Sequence, residues 1–316
     1  MKVITLCIDQ LINTLPVRVK NTKSPLIIDL ILSGGFFNGS YMLGSLLFLK
    51  EMEKRNYVKV NRISTCSISS LLGVLYITDK LDVLCNHNYE VLFNQFIETQ
   101  QMCCMLELRK YINIDPPDLF KLNNKLYISY YNVRKQKKNT KCFFKTTDVL
   151  YESLIKSSFI PFVLNTEATY KNKYIDGITP KVFKTKNTGV KLLSIDVIVC
   201  DKFLDLFNVK NEYSNIHRTL IGILDIHKLF LKDFNSTSLC RIVNTRHIRY
   251  RVLNYIVGFF EKLMVWAVVL CLYVDDIFIY LGIKRVFSFF AKMVFSCGFP
   301  KSLYLVLNIS NLLITS

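Results

Sequence analysis

The sequence predicts an α/β fold with a mostly parallel central sheet, continued by a helical and strongly apolar C-terminal extension. Three observations predict it. Residues 25–33, PLIIDLILS, form a near-continuous apolar run of strand length, as a strand covered on both faces requires. Strand-like and helix-like patterns then alternate, which argues for parallel strands joined by crossover helices. From residue 251 onward the composition turns apolar.

The elements follow in order. The first strand ends in GGFFNG (34–39), and residues 40–55 carry apolar positions at 42, 43, 46, 47, 49 and 52 with charges gathered at the C-terminal end, a helical pattern. Residues 57–66, YVKVNRISTC, read as a second strand, and 69–77 as a short buried helix. Residues 81–122 look mostly helical and irregular, broken by PPD at 116–118. Residues 125–133 and 141–149 frame the basic run RKQKKNTK (134–141) as a hairpin-like pair, and 150–163 contain a short helix stopped before Pro161. NKYIDG (172–177) is a strand running into a turn, 190–200 one more buried strand, and 240–250 a strand-like stretch.

With 316 residues the chain is long enough to bury a substantial core. Hydrophobic residues make up 51% and charged residues 21%, which argues against disorder and against a polytopic membrane protein. The net charge of +17 favours anionic partners, nucleic acid or an anionic lipid face. The basic run is either a solvated loop or one that contacts phosphates or headgroups. No aromatic and basic binding motif accompanies it, so a nucleic-acid partner is not expected. The ten cysteines include no CxxC or CxxxC spacing, which excludes the usual zinc and redox patterns, and no metal or other cofactor is expected. The N-terminus lacks the features of a signal peptide, so an intracellular location is expected, cytoplasmic or peripheral on a membrane.

In the extension, the apolar stretch 263–274 is twelve residues long and is followed by Asp275 and Asp276. Aspartates at a helix centre cost roughly 2.5–3.5 kcal/mol each on insertion scales, which disfavours a span through both. The remaining readings are helices that cover the core or that lie in a membrane interface.

Chemistry concentrates at three turns. The glycine-rich GGFFNG can aim free N–H groups at an anion or an oxyanion, or it is a structural turn. It is not a P-loop, because no Lys-Ser/Thr follows, and not a dinucleotide fingerprint, because Phe36 takes the middle glycine position. Ser67, between a strand and a helix, is either a helix cap or a nucleophile on a sharp elbow. Asp176 closes a strand just before Gly177, a common turn pair. A serine hydroxyl needs a nearby base. The four histidines (His87, His217, His227 and His247) do not sit at strand ends beside turn residues, which leaves an aspartate as direct base.

The order of these motifs resembles the patatin-like phospholipases. GGFFNG, preceded by Ser33, is similar to that family's GxGxxG oxyanion turn; TCSIS (65–69) falls on its GxSxG elbow; SSFIPF (157–162) looks like its ASxxxP stretch; and DGI (176–178) falls on its DG-Gly/Ala motif. The resemblance covers about residues 25–200, leaving 201–316 as a mostly helical extension. It implies a three-layer α/β/α domain and a lipid acyl hydrolase, a phospholipase or lipase-like esterase, that works on membrane surfaces with a phospholipid or another acyl lipid as substrate. By the same resemblance, Ser67 is the nucleophile and Asp176 the base, flanked by Gly177 and Ile178. Backbone groups of Gly34, Gly35, Phe36 and Gly39 form the oxyanion hole, and Thr65, Cys66, Ile68 and Ser69 build the elbow. The sequence departs from the family at Thr65, Phe36 and Ser69, where glycines are usual, and at Asn38, where Lys or Arg is usual. Those departures carry the alternative: a catalytically impaired member that binds lipid or membranes.

Overall fold

The computed structural model describes residues 2–20, 24–35, 38–84, 105–106, 108–161, 164–165, 167–184, 189–197, 216–245 and 247–280. Its elements are α1 (Lys2–Asn13), β1 (Leu26–Leu32), α2 (Gly39–Lys54), β2 (Val58–Cys66), α3 (Ile68–Ile77), β3 (Leu126–Asn132), β4 (Lys137–Lys141), α4 (Thr147–Ser158), β5 (Tyr174–Asp176), β6 (Val190–Ile195), α5 (Ile216–Leu231), β7 (Cys240–Ile242) and α6 (Ile248–Tyr280). Short helices at Val17–Lys20, Leu108–Tyr111 and Pro116–Leu122 join them.

The protein is α/β, with a seven-stranded mixed sheet whose central strands are parallel. Strand order is β4-β3-β2-β1-β6-β7, and β5 pairs with β3. The pairs β1–β2, β1–β6 and β2–β3 are parallel, whereas β4, β5 and β7 run antiparallel to their neighbours. The apolar run at 25–33 becomes β1, the middle strand, with Ile28, Leu30 and Leu32 fully buried. Covering a side chain of this size contributes about 1.5–3 kcal/mol. Asp29 is buried in the same strand, where Asn61 Nδ2 (2.9 Å) and the Arg62 guanidinium (2.8 Å) satisfy it, so the apolar alternation tolerates one acid.

The core extends beyond the 25–200 region. Ile8, Ile12 and Leu15 enter it from the N-terminal side, and Ile223, Ile226, Leu229 and Phe230 of α5 enter it from the region assigned to the extension, where β7 also continues the sheet. Helices α2 and α5 cross closely through two glycines. A Cβ on Gly44 would lie 1.9 Å from the Thr219 carbonyl oxygen, and one on Gly222 would lie 1.9 Å from that of Tyr41.

Several element boundaries differ from the sequence reading, among them the strand expected over 190–200, which spans Val190–Ile195. The hairpin partner of β3 is the basic run itself, Lys137–Lys141, and not 141–149. The turn at 133–136 is tight, with Gln136 at φ 46°, so pairing begins at once; Thr146 then caps α4 by accepting from the Val149 N–H. The strand expected over 240–250 spans only Cys240–Ile242, and α6 starts at Ile248. The residues beyond 280 lie outside the described region, as do most of those at 85–107.

Candidate active site

Ser67 is the junction of β2 and α3. Its φ of 58° and ψ of −142° are left-handed backbone that L-residues seldom adopt, and its side chain makes no capping bond to α3. Ser67 therefore does not cap α3 with its side chain; it stands on a sharp strand-to-helix turn. Backbone strain of this type costs about 1–3 kcal/mol and persists only where the surroundings fix it. Here the surroundings do. The Ser67 N–H donates to both the carbonyl and the hydroxyl oxygen of Ser157 (3.0 Å each). Ser157 Oγ donates onward to the Ser129 carbonyl at 2.7 Å and lies 3.0 Å from Ser70 Oγ.

The departures at 65 and 69 are accommodated. Thr65 lies inside regular β pairing, between Leu32 and Ile128, and its hydroxyl donates to the Tyr127 carbonyl at 3.1 Å. The glycine that makes room for it is Gly73 on α3, where an added Cβ would stand 2.9 Å from the Thr65 methyl. Ser69 Oγ bridges strand ends, accepting from the Cys66 N–H (3.1 Å) and lying within donating distance of the Leu32 and Cys66 carbonyls (2.9 and 2.7 Å). Ile68 is the first residue of α3 and is buried.

Asp176 ends β5, and Phe159 fixes its backbone by accepting the Asp176 N–H at 2.8 Å. Its Oδ1 accepts the Ile178 N–H at 2.7 Å. The Ser67 hydroxyl is near enough to draw the pKa of the carboxyl down, but the two side chains form no hydrogen bond, and Oδ2 is buried without a hydrogen-bond partner. Resting catalytic hydrogen bonds are often long and tighten with substrate. Burial dominates the titration: only 8% of Asp176 is exposed, and its pKa rises from 3.8 to about 6 despite the opposing Ser67, Ile178 and Lys138 groups.

Gly177 must be glycine, because a Cβ there would lie 2.2 Å from the Ser129 carbonyl oxygen. Ile178 takes φ 59°, an outlier for a β-branched residue at the position where the resembled family has Gly or Ala. Cys66 Sγ donates to the Ile178 carbonyl at 3.5 Å, which ties elbow to base loop; burial, followed by the charge of Asp176, pushes this thiol well above its usual pKa.

Of the expected oxyanion groups, Gly34 lies against Ser67: an added Cβ would come within 3.2 Å of Ser67 Cβ. The Gly34 N–H faces the Cys66 sulfur. The Gly35 carbonyl accepts the Asn38 N–H at 2.7 Å, closing the turn, and Gly39 opens α2, where N–H groups lack helical partners. Phe36 lies outside the described residues, as does Phe162 of the SSFIPF stretch.

Sequence reasoning missed several neighbours. Asn38 is wholly buried, with Nδ2 donating to the Val197 carbonyl (3.0 Å) and Oδ1 accepting from buried Arg218 (3.0 Å), so α5 brings a guanidinium to the loop that lacks its own cation. On the other flank, Glu261 of α6 accepts from Lys138 Nζ (2.5 Å) and Thr179 Oγ1 (3.2 Å). Glu261 is the lone acid between 251 and 274, a signal present in the sequence. Of the histidines, His227 is buried against Phe48 and lies 2.9 Å from Thr14 Oγ1, where its role is packing. His217 and His247 are exposed, and His87 is outside the described residues.

Among the described residues no cluster of three or more His, Cys, Asp or Glu side chains is arranged to hold a metal ion. A cavity of about 310 Å³ is lined by Ile4, Ile8, Leu47 and Asp79 among others, away from Ser67 and Asp176. No family model matches the chain, and no curated protein matches it.

Proposed function

We propose that this chain is a lipid acyl hydrolase, a patatin-like three-layer domain acting with a Ser67–Asp176 dyad on a phospholipid or related ester at a membrane surface. The observation that carries the reading is the pairing of two features: a serine held at positive φ on a strand-to-helix turn, and a buried carboxylate close enough for the serine hydroxyl to lower its pKa. Both cost stability.

In this reading Ser67 Oγ attacks the ester carbonyl carbon while Asp176 accepts its proton. The tetrahedral oxyanion is held by N–H groups of the 34–39 turn, a type of contact worth about 2.7–4 kcal/mol per donor. Asp176 then returns the proton to the leaving alcohol, which departs and leaves an acyl-serine. Water attacks that ester, giving its proton to Asp176, which passes it to Ser67 Oγ as the acyl–oxygen bond breaks, so that the fatty acid is released and the free serine and the carboxylate are restored. A base titrating at about 6 is ionised at neutral pH yet closer to the working pH than an ordinary aspartate, which favours proton transfer.

The test is phospholipid hydrolysis by the purified full chain. Wild type should exceed Ser67→Ala and Asp176→Asn, with a rate that climbs through pH about 6 to a plateau; equal rates in all three would overturn the proposal. A catalytically silent lipid binder is the second reading, favoured by the low exposure of Ser67 (6%) and by the direction of the Gly34 N–H toward sulfur. Vesicle binding without hydrolysis would select it.

A further inference from the structure

Helix α6 has two apolar faces and only one is used. On the inner face, Val265 and Val268 join Tyr131, Val133 and Ile175 in a buried cluster, with Leu272 and Ile178 packed against it. Glu261 lies on the same face, bonded to Lys138 and Thr179. On the outer face, Tyr255, Phe259, Leu263, Trp266, Leu270 and Tyr273 are between 47% and 74% exposed. Their spacing of three or four residues makes one continuous stripe, about 27 Å long at 1.5 Å per residue. Glu261, Val265, Val268 and Leu272 on the inner face each follow an outer residue by two positions, about 200° round the helix, so the two faces are opposed.

The 25 residues 250–274 are long and apolar enough to cross a bilayer. Packing argues otherwise. Glu261, Val265 and Val268 lie in the middle of that stretch and are joined to β3, β4 and β5, so a crossing helix would carry the charged β3–β4 hairpin into hydrocarbon. The same contacts are compatible with a helix lying flat between the domain and a lipid surface.

We infer that the outer face of α6 docks this protein on an anionic lipid-water interface, with the basic tip of the β3–β4 hairpin contacting headgroups beside it. Two observations choose this occupant over a second copy of the chain. Four of the six stripe residues are aromatic, including the chain's single tryptophan, a composition suited to the headgroup boundary and unlike the aliphatic seams of paired helices. Charge agrees: Arg134, Lys135 and Lys137 are exposed on the tip that follows Val133, itself packed in the cluster with α6, and Lys262 and Arg251 are exposed on the helix. Lys135 and Lys137 are both exposed at the tip, where positive charge favours anionic lipid. The inference deepens the hydrolase reading by naming the surface that would present its lipid. Ile178, the last residue of the DGI stretch, packs on the inner side of the same helix.

Trp266 reports docking directly in the full-length chain. With phosphatidylcholine vesicles containing phosphatidylserine, its emission should move to shorter wavelength and be quenched by brominated acyl chains; phosphatidylcholine alone should have little effect. The triple variant Arg134→Ser, Lys135→Ser, Lys137→Ser should bind on the order of 100-fold more weakly, and Phe259→Ser with Leu263→Ser should abolish the shift while keeping the wild-type melting temperature. Absence of both shift and quenching for wild type on phosphatidylserine vesicles overturns the inference. So does a concentration-dependent shift with doubled mass in vesicle-free solution, which assigns the stripe to a second copy. Fluorophosphonate labelling without vesicles reads the dyad separately: quenching without labelling leaves the docking face standing and removes the hydrolase.

Discussion

Replacing Asp176 by Asn should make the protein more stable and inactive together. The carboxyl is held at about 6 against an ordinary 3.8, chiefly because burial penalises its charge. At 1.36 kcal/mol per pH unit, ionising it in the folded chain costs about 3 kcal/mol more than in the unfolded chain. The folded state binds the proton more tightly, so this penalty is absent below about pH 4. It grows as pH rises through the interval from 3.8 to about 6, and it is complete above that. Asn keeps an oxygen for the Ile178 N–H and carries no charge, so Asp176→Asn should gain up to about 3 kcal/mol at pH 7.5 and nothing at pH 4. For a chain of this length that is a rise in Tm of about 5 °C at the higher pH. Differential scanning calorimetry across pH 4–8 measures it. A variant that is less stable than wild type at pH 7.5, or a difference that does not change with pH, would refute the reasoning.

Three further substitutions probe the elbow. Ser67→Gly should be about 1 kcal/mol more stable than Ser67→Ala in denaturant melts, because glycine relieves the positive φ and the relief exceeds its larger unfolded-state entropy. Gly177→Ala should lose about 2–3 kcal/mol along with fluorophosphonate labelling, since its Cβ would press on the Ser129 carbonyl and part β5 from β3. Ser157→Ala removes the hydroxyl shared by the Ser67 N–H and the Ser129 carbonyl; a loss of about 1–3 kcal/mol in the same melts, with slower labelling, is expected.

The sheet's central strands and their crossover helices were legible because each is a local pattern: a doubly covered apolar run in β1, helical periodicity in α2, an apolar run after Ser67 in α3. The edge was not. Lys137–Lys141 has no strand-like alternation, and only its antiparallel register with Ile128–Asn132, set by a tight turn, makes it β4. Helix α1 and the reach of α5 into the core were missed because their partners are distant in sequence.

At the candidate site, motif order singled out Ser67 and Asp176, but the contacts that hold them were not legible. Thr65 reads as an obstacle in an elbow until Gly73, one helix away, is seen to make room for its methyl. Ser157 stands in a quoted motif, yet its grip on the Ser67 N–H is a tertiary contact spanning 90 positions. Arg218 beside Asn38 and Glu261 beside Lys138 are likewise long-range pairs that no local spacing announces.

The central claim is that the hydroxyl at 67 is activated by the carboxylate at 176. A fluorophosphonate probe, followed by peptide mapping, tests it most directly. A single adduct on Ser67 is expected, formed at a rate that climbs through pH about 6, with much slower labelling in Asp176→Asn. An adduct on another residue, or labelling of Ser67 at the same rate with and without the Asp176 carboxylate, would contradict it.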